Sequence, residues 1–80
     1  MKLYDEVWLT RDVPEHGLRK GDVAVWVDSA THPDGGPEGR VLEVFNAVGD
    51  TVCVVVVEAD AIAPLDASQV PSVRPYERAT

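Results

Sequence analysis

The sequence predicts an all-β fold. Three observations carry that expectation. Short runs rich in valine and aromatic residues recur along the chain. Several of these runs alternate with a period of two, and turns bearing glycine or proline separate them. No stretch carries an apolar stripe at helical spacing. Eighty residues hold one domain. A chain of that size buries only about 60% of its unfolded surface, so the core is expected to be thin.

The first strand is expected over residues 4–11. Val7 and Leu9 share one face with Asp5, and Tyr4, Glu6, Trp8 and Thr10 share the other. Residues 12–21 read as a long loop. Pro14 restricts Val13 to extended backbone, Gly17 permits a turn, and Leu18 is expected to fold back onto the core. The loop ends on Gly21-Asp22. Glycine there allows a positive φ, and the aspartate is expected to bond the backbone just after it.

A second strand follows over residues 22–29. Val23, Val25 and Val27 are the expected core face, and Ala24, Trp26 and Asp28 the other. Residues 31–39, with two prolines and three glycines, form an exposed loop and the most flexible segment of the chain. A third strand over residues 40–46 turns Leu42 and Val44 inward and Glu43 outward. A short glycine-bearing connection over 46–50 joins it to a fourth strand over 51–58, making a hairpin. Residues 59–65 read as a bend and a short last strand, or as one 3₁₀ turn, ended by Pro64. Beyond them lies a tail over 66–80, where Pro71 and Pro75 oppose a helix and Val70, Val73 and Tyr76 are available for docking.

Five short strands with a long loop after the first fit a small, strongly bent, five-stranded antiparallel barrel of the SH3-like kind, with a C-terminal tail. Residues 1–65 make the barrel, and residues 66–80 pack on it or on a partner. An OB-fold is the other candidate, but it usually has more length and a helix before its last strands.

Charge narrows the partners. Fourteen acidic residues against seven basic ones give a net charge of -7. Phosphate backbones and anionic membranes are disfavoured, and a basic protein partner is favoured. One cysteine, Cys53, makes no internal disulfide. No apolar run reaches membrane-spanning length and the first residues carry no signal-like apolar segment, so the cytoplasm is the expected compartment.

The chemistry on offer is sparse. His16, His32 and Cys53 are the imidazoles and the thiol. Cys53 falls mid-strand, where a free cysteine behaves as a small hydrophobe. The two histidines fall in separate loops, with no metal-ligand spacing. The pairs Asp5 with Glu6 and Glu58 with Asp60 read as solvated carboxylates. Gly35 to Gly39 lacks the Lys-Ser/Thr of a phosphate loop. No catalytic residue, metal or cofactor is expected. A small enzyme or metal carrier using His16, His32 and Cys53 is the least favoured function.

The fourth strand is apolar on both faces, and a barrel strand normally wets one of them. Its outward face, expected to be Cys53, Val55 and Val57, must then be covered by the tail or by another chain. Trp8 and Trp26 fall opposite the expected core faces and are assigned to the same outer surface. Glu6, Asp28 and Glu43 would frame it. These residues point to a non-enzymatic protein-interaction module. The partner is another protein, of basic character, or a second copy. The alternative is a self-associating accessory barrel that supports a larger enzyme.

The stretches Met1-Lys2-Leu3-Tyr4-Asp5-Glu6-Val7, Leu9-Thr10-Arg11-Asp12-Val13-Pro14-Glu15-His16-Gly17-Leu18, Lys20-Gly21-Asp22-Val23 and Phe45-Asn46-Ala47-Val48-Gly49-Asp50-Thr51 resemble a family of short bacterial proteins, the domain of unknown function DUF4926. The resemblance runs from residue 1 to about residue 65, implies a small SH3-like barrel and carries over no catalytic or ligand residue. The resemblance also implies a gene context in which toxin-like or other small uncharacterised proteins are often the neighbours, and through it an antitoxin or immunity role. The chain departs from the family pattern in its Pro- and Gly-rich residues 30–39 and in Trp26, where a smaller aliphatic is expected. The Gly21-Asp22 entry into a valine-rich strand is also similar, over that short stretch, to the barrel of the nitrile hydratase β-subunit and its small activator proteins.

Overall fold

The computed structural model describes residues 2–31, 35–36 and 38–77. His32, Pro33, Asp34 and Pro37, four of the nine residues of the loop expected to be flexible, lie outside the described residues.

The alternating apolar runs form five strands: β1 (Glu6–Leu9), β2 (Val23–Ala30), β3 (Gly39–Phe45), β4 (Thr51–Glu58) and β5 (Ile62–Pro64). They make one antiparallel sheet in the order β4-β3-β2-β1-β5. β4 and β5 are its two edges, so hydrogen bonds do not close the ring. The sheet nevertheless curls. Arg11, just past β1, reaches Glu58 at the end of β4 with a 2.9 Å ion pair. In a flat sheet β1 and β4 would stand about 14 Å apart. The 59–65 segment holds both expected features, a 3₁₀ turn over Ala59–Ala61 and the strand β5.

β1 is shorter than expected, because a turn precedes it. The Asp5 N–H donates to the Lys2 carbonyl, and Tyr4 sits at φ 70°. After β1 the long loop makes a 3₁₀ turn over Pro14–His16 and closes through a two-way backbone bridge between Val13 and Leu18. Both side chains are buried, so Leu18 is the anchor that the sequence predicted. The loop ends at Gly21 with φ 93°. The Asp22 carboxylate bonds the backbone before it, not after it, accepting from the Arg19 N–H at 2.8 Å.

The core face of β2 is the reverse of the expected one. Ala24 is buried, while Val23, Val25 and Val27 are half-exposed. From Val23 to Val27 both sets are apolar, so alternation there leaves the phase open. The ladder decides it. Ala24 stands opposite Val7 and Trp26 opposite Leu42, and both partners are fully buried. Opposed residues share a face, so Ala24 and Trp26 turn inward. A bulge between Trp26 and Asp28 then shifts the register.

β4 is corrected in the same way. Val55 and Val57 are buried, and Cys53 packs half-buried against the core. The outward residues are Val54 and Val56, 59% and 51% exposed. Leu42 and Val44 face inward as expected. One apolar cluster therefore draws on all five strands, with Val13, Leu18 and Ala61 added from the connections.

The tail does not cover the outward valines. Val70 and Val73 are 90% and 88% exposed. Arg74 and Tyr76 dock instead on the loop between β1 and β2. The Arg74 guanidinium forks onto the Asp22 carboxylate, with one bond of 3.0 Å, and also donates to the Gly17 carbonyl at 3.2 Å. The hydrogen bond to Asp22 raises the Arg74 pKa further above its ordinary value. The Tyr76 hydroxyl donates to the His16 carbonyl at 3.3 Å, and its ring packs on the core cluster.

Both charged groups of this fork are largely covered, so it exceeds an ordinary surface pair. Arg74→Ala is expected to destabilise the protein by about 1–2 kcal/mol. Asp22→Ala is expected to lose more, because it also frees the Arg19 amide. Urea unfolding of both single variants and the double variant measures the coupling. Additive losses would mean that the fork contributes nothing.

Candidate protein-interaction surface

The cross-strand register sorts the polar side chains of the sheet by face. Glu6 stands opposite Val25, Val25 opposite Glu43, and Glu43 opposite Val54. This row alternates Glu-Val-Glu-Val across four strands. A parallel row runs from Asp28 through Val41 to Val56. On the other side Ala63, Trp8 and Val23 lie abreast. The outer face is thus a valine surface with a tryptophan at one side. All the acidic residues of the strands lie on it: Glu6, Asp28, Glu43 and Glu58. The one basic residue of the strands, Arg40, stands opposite buried Val57 and so belongs to the inner face.

The expected site residues divide accordingly. Trp8, Glu6, Asp28 and Glu43 come together on the outer face. Glu43 also accepts a 2.6 Å bond from the Thr51 hydroxyl. Val55 and Val57 point inward and are unavailable to a partner. Trp26 is on the opposite face from Trp8, so the two do not share a surface. Its ring is occupied by the Arg40 guanidinium, 4.5 Å from the centroid, and its indole N–H donates to the Asp28 carbonyl at 2.7 Å. Arg40 is itself held by Glu38 and Ser29 at 2.6 and 3.0 Å. Trp26 is partly buried and packs against the core cluster.

Reading the sequence missed Val54, Val56, Val25 and Val41 as surface residues. The signal that could have found them is phase: Leu42 and Val44 were rightly placed inward, and the hairpin carries that phase into β4 only through its register.

A family model described as a domain of unknown function, DUF4926, matches residues 3–64. The chain belongs to the DUF4926 family. No curated protein and no solved structure matches it. The matched span ends with β5, so the tail residues Arg74 and Tyr76 that brace this DUF4926 domain lie beyond it.

His16 and Cys53 of the DUF4926 domain line one small cleft together with Glu15 and Tyr76. No hydrogen bond joins the imidazole to the thiol among the described residues, and nucleophilic activation of cysteine needs such a bond or an equivalent cation. His32 lies outside the described residues. Among the described residues no three His, Cys, Asp or Glu side chains converge as metal ligands would. Among them, too, no helix is long and apolar enough to cross a membrane.

Proposed function

We propose that the protein is a non-enzymatic protein-interaction module that docks a basic partner on the outer face of its sheet. The observation that carries this reading is the composition of that face. Half-exposed and exposed valines lie there beside Trp8, and four strand carboxylates stand among them with no strand cation. Apolar surface of this kind drives association, and single-sign charge selects and steers the partner. An antitoxin or immunity protein that masks a basic toxin is the form of this reading that the net charge of -7 favours.

The test is a pair of tagged baits, the natural chain and a Val54→Lys/Val56→Lys double variant, run against extract of the native host. A basic protein held by the natural chain at low salt, weakened at high salt and lost with the double variant supports the reading. Equal recovery on both baits assigns the contact to another surface. Recovery of the bait alone, at a multiple of its own mass, favours the self-associating accessory barrel.

A further inference from the structure

Consecutive residues of a strand point to opposite faces, so a cleft that touches several in a row touches the edge of the strand. Two clefts do so along β4. One of about 260 Å³ is lined by Val52, Cys53, Val54 and Val55. The other, of about 480 Å³, is lined by Val56, Val57 and Glu58 and opens past the ends of β2 and β3. Glu15 lines both, so the loop between β1 and β2 walls the strand along its length. One edge of β4 is held by β3. The smaller cleft touches no β3 residue and lies along the other edge, between β4 and the Glu15-His16 turn, whereas the larger one, lined also by Ala30 and Gly39, opens across the end of the sheet.

The backbone at that edge has a definite phase. The Ala59 N–H donates to the Glu38 carbonyl, which continues the pairing of Gly39 with Glu58. Antiparallel ladders alternate, so odd-numbered residues of β4 bond to β3. The N–H and C=O groups of Val54 and Val56 face away from β3, and beyond Cys53 a register shift at Val52 ends the regular alternation. β4 carries neither lysine nor proline, the residues that commonly blunt an edge.

We infer that the free edge of β4 accepts an extended segment of a basic partner as an added strand. Charge selects the occupant. Asp12, Glu15 and Glu58 wall the clefts, and Arg11 beside them is already held by Glu58 and Asp60 at 2.9 and 3.1 Å. A second copy fits less well. It brings the same net charge of -7, and antiparallel self-pairing centred on Val54 sets Glu58 opposite Asp50 of the other copy. The inference rests on the reading of the protein as an interaction module, and adds the mode of contact and the chemistry of the bound segment.

The test titrates a capped hexapeptide alternating lysine and valine into the isotope-labelled full chain and follows backbone amides by NMR. Saturable shifts and slowed exchange are expected at Val54 and Val56, weakening as salt rises. N-methylation of the peptide amides that face β4 should weaken binding about tenfold. A glutamate–valine analogue should not bind. Val54→Pro removes an edge N–H without touching the β3 ladder, and should abolish binding in a folded protein. If that variant does not fold, the N-methylated peptide carries the same test.

Absence of saturable shifts, shifts confined to other residues, or equal affinity of the N-methylated peptide overturns the inference. So does a peptide of residues 51–58 that binds more tightly than the lysine–valine peptide, which would make the occupant a second copy. Failure here leaves the outer-face reading standing, because that reading is tested by recovery of a partner on the two baits and does not require an added strand.

Discussion

Val55→Lys is expected to prevent stable folding, while Val54→Lys leaves the unfolding midpoint nearly unchanged. The two residues are adjacent and chemically identical, and only the side of the sheet differs. Val55 is 6% exposed and belongs to the core cluster, whereas Val54 is 59% exposed. An ammonium at Val55 has no buried carboxylate to meet, since no buried polar or charged residue lies among the described residues. Its effective desolvation costs several kcal/mol, and the lost valine packing adds to it. A domain of this length has about 4–12 kcal/mol of stability to lose. Val54→Lys puts its charge in water near Glu43, the residue opposite in β3, and should shift stability by about 0.5 kcal/mol or less. Thermal and urea unfolding of the two variants check this directly. Equal losses, or the reverse order, would refute the assignment of faces in β4.

Leu42→Ala is expected to cost about 3 kcal/mol, within the range seen for leucine truncations in cores. Leu42 is 0% exposed at the middle of β3, with Trp26 opposite it in β2 and Val55 in β4. Neither neighbour is free to fill the space. The Trp26 indole is tied to the Asp28 carbonyl and covered by Arg40, and Val55 is locked in an eight-residue ladder strand. The cavity therefore stays largely open, and the penalty stays near the middle of the range rather than the bottom. Leu42→Met, which keeps the volume, should cost less than about 1.5 kcal/mol. In urea the midpoint of Leu42→Ala should fall with little change in slope. A loss under about 1 kcal/mol would show that the two sides of the sheet collapse onto the site.

The number and order of strands were legible because turns punctuate them. Gly21-Asp22, the Asn46–Asp50 connection and Pro64 each end a run where glycine, asparagine or proline demands it. The inward faces of β1 and β3 were legible too. There the carboxylates of Glu6 and Glu43 stand beside Val7, Leu42 and Val44 mid-strand, and water and core compete for different side chains. In β2 and β4 the competition is absent. Valine, alanine, tryptophan and cysteine occupy both phases, and each phase alone would satisfy a core. The tail was equally opaque to hydropathy. Of the three residues expected to dock, Tyr76 does and Val70 and Val73 do not, and the fork between Arg74 and Asp22 that holds the tail beside Tyr76 carries no hydropathy signal.

Hydropathy period and turn residues were enough for the all-β class, the acidic character, the five strands, the Leu18 anchor and the family. Tertiary structure alone decided which valines are core and which are surface. Pairing with fully buried Val7 and Leu42 sets the phase of β2, the bulge after Trp26 shifts it, and the hairpin register passes the choice on to β4. A period-two pattern cannot specify its own origin when both phases are apolar. Only the neighbouring strand, by placing each residue opposite a partner already committed to the core, supplies it.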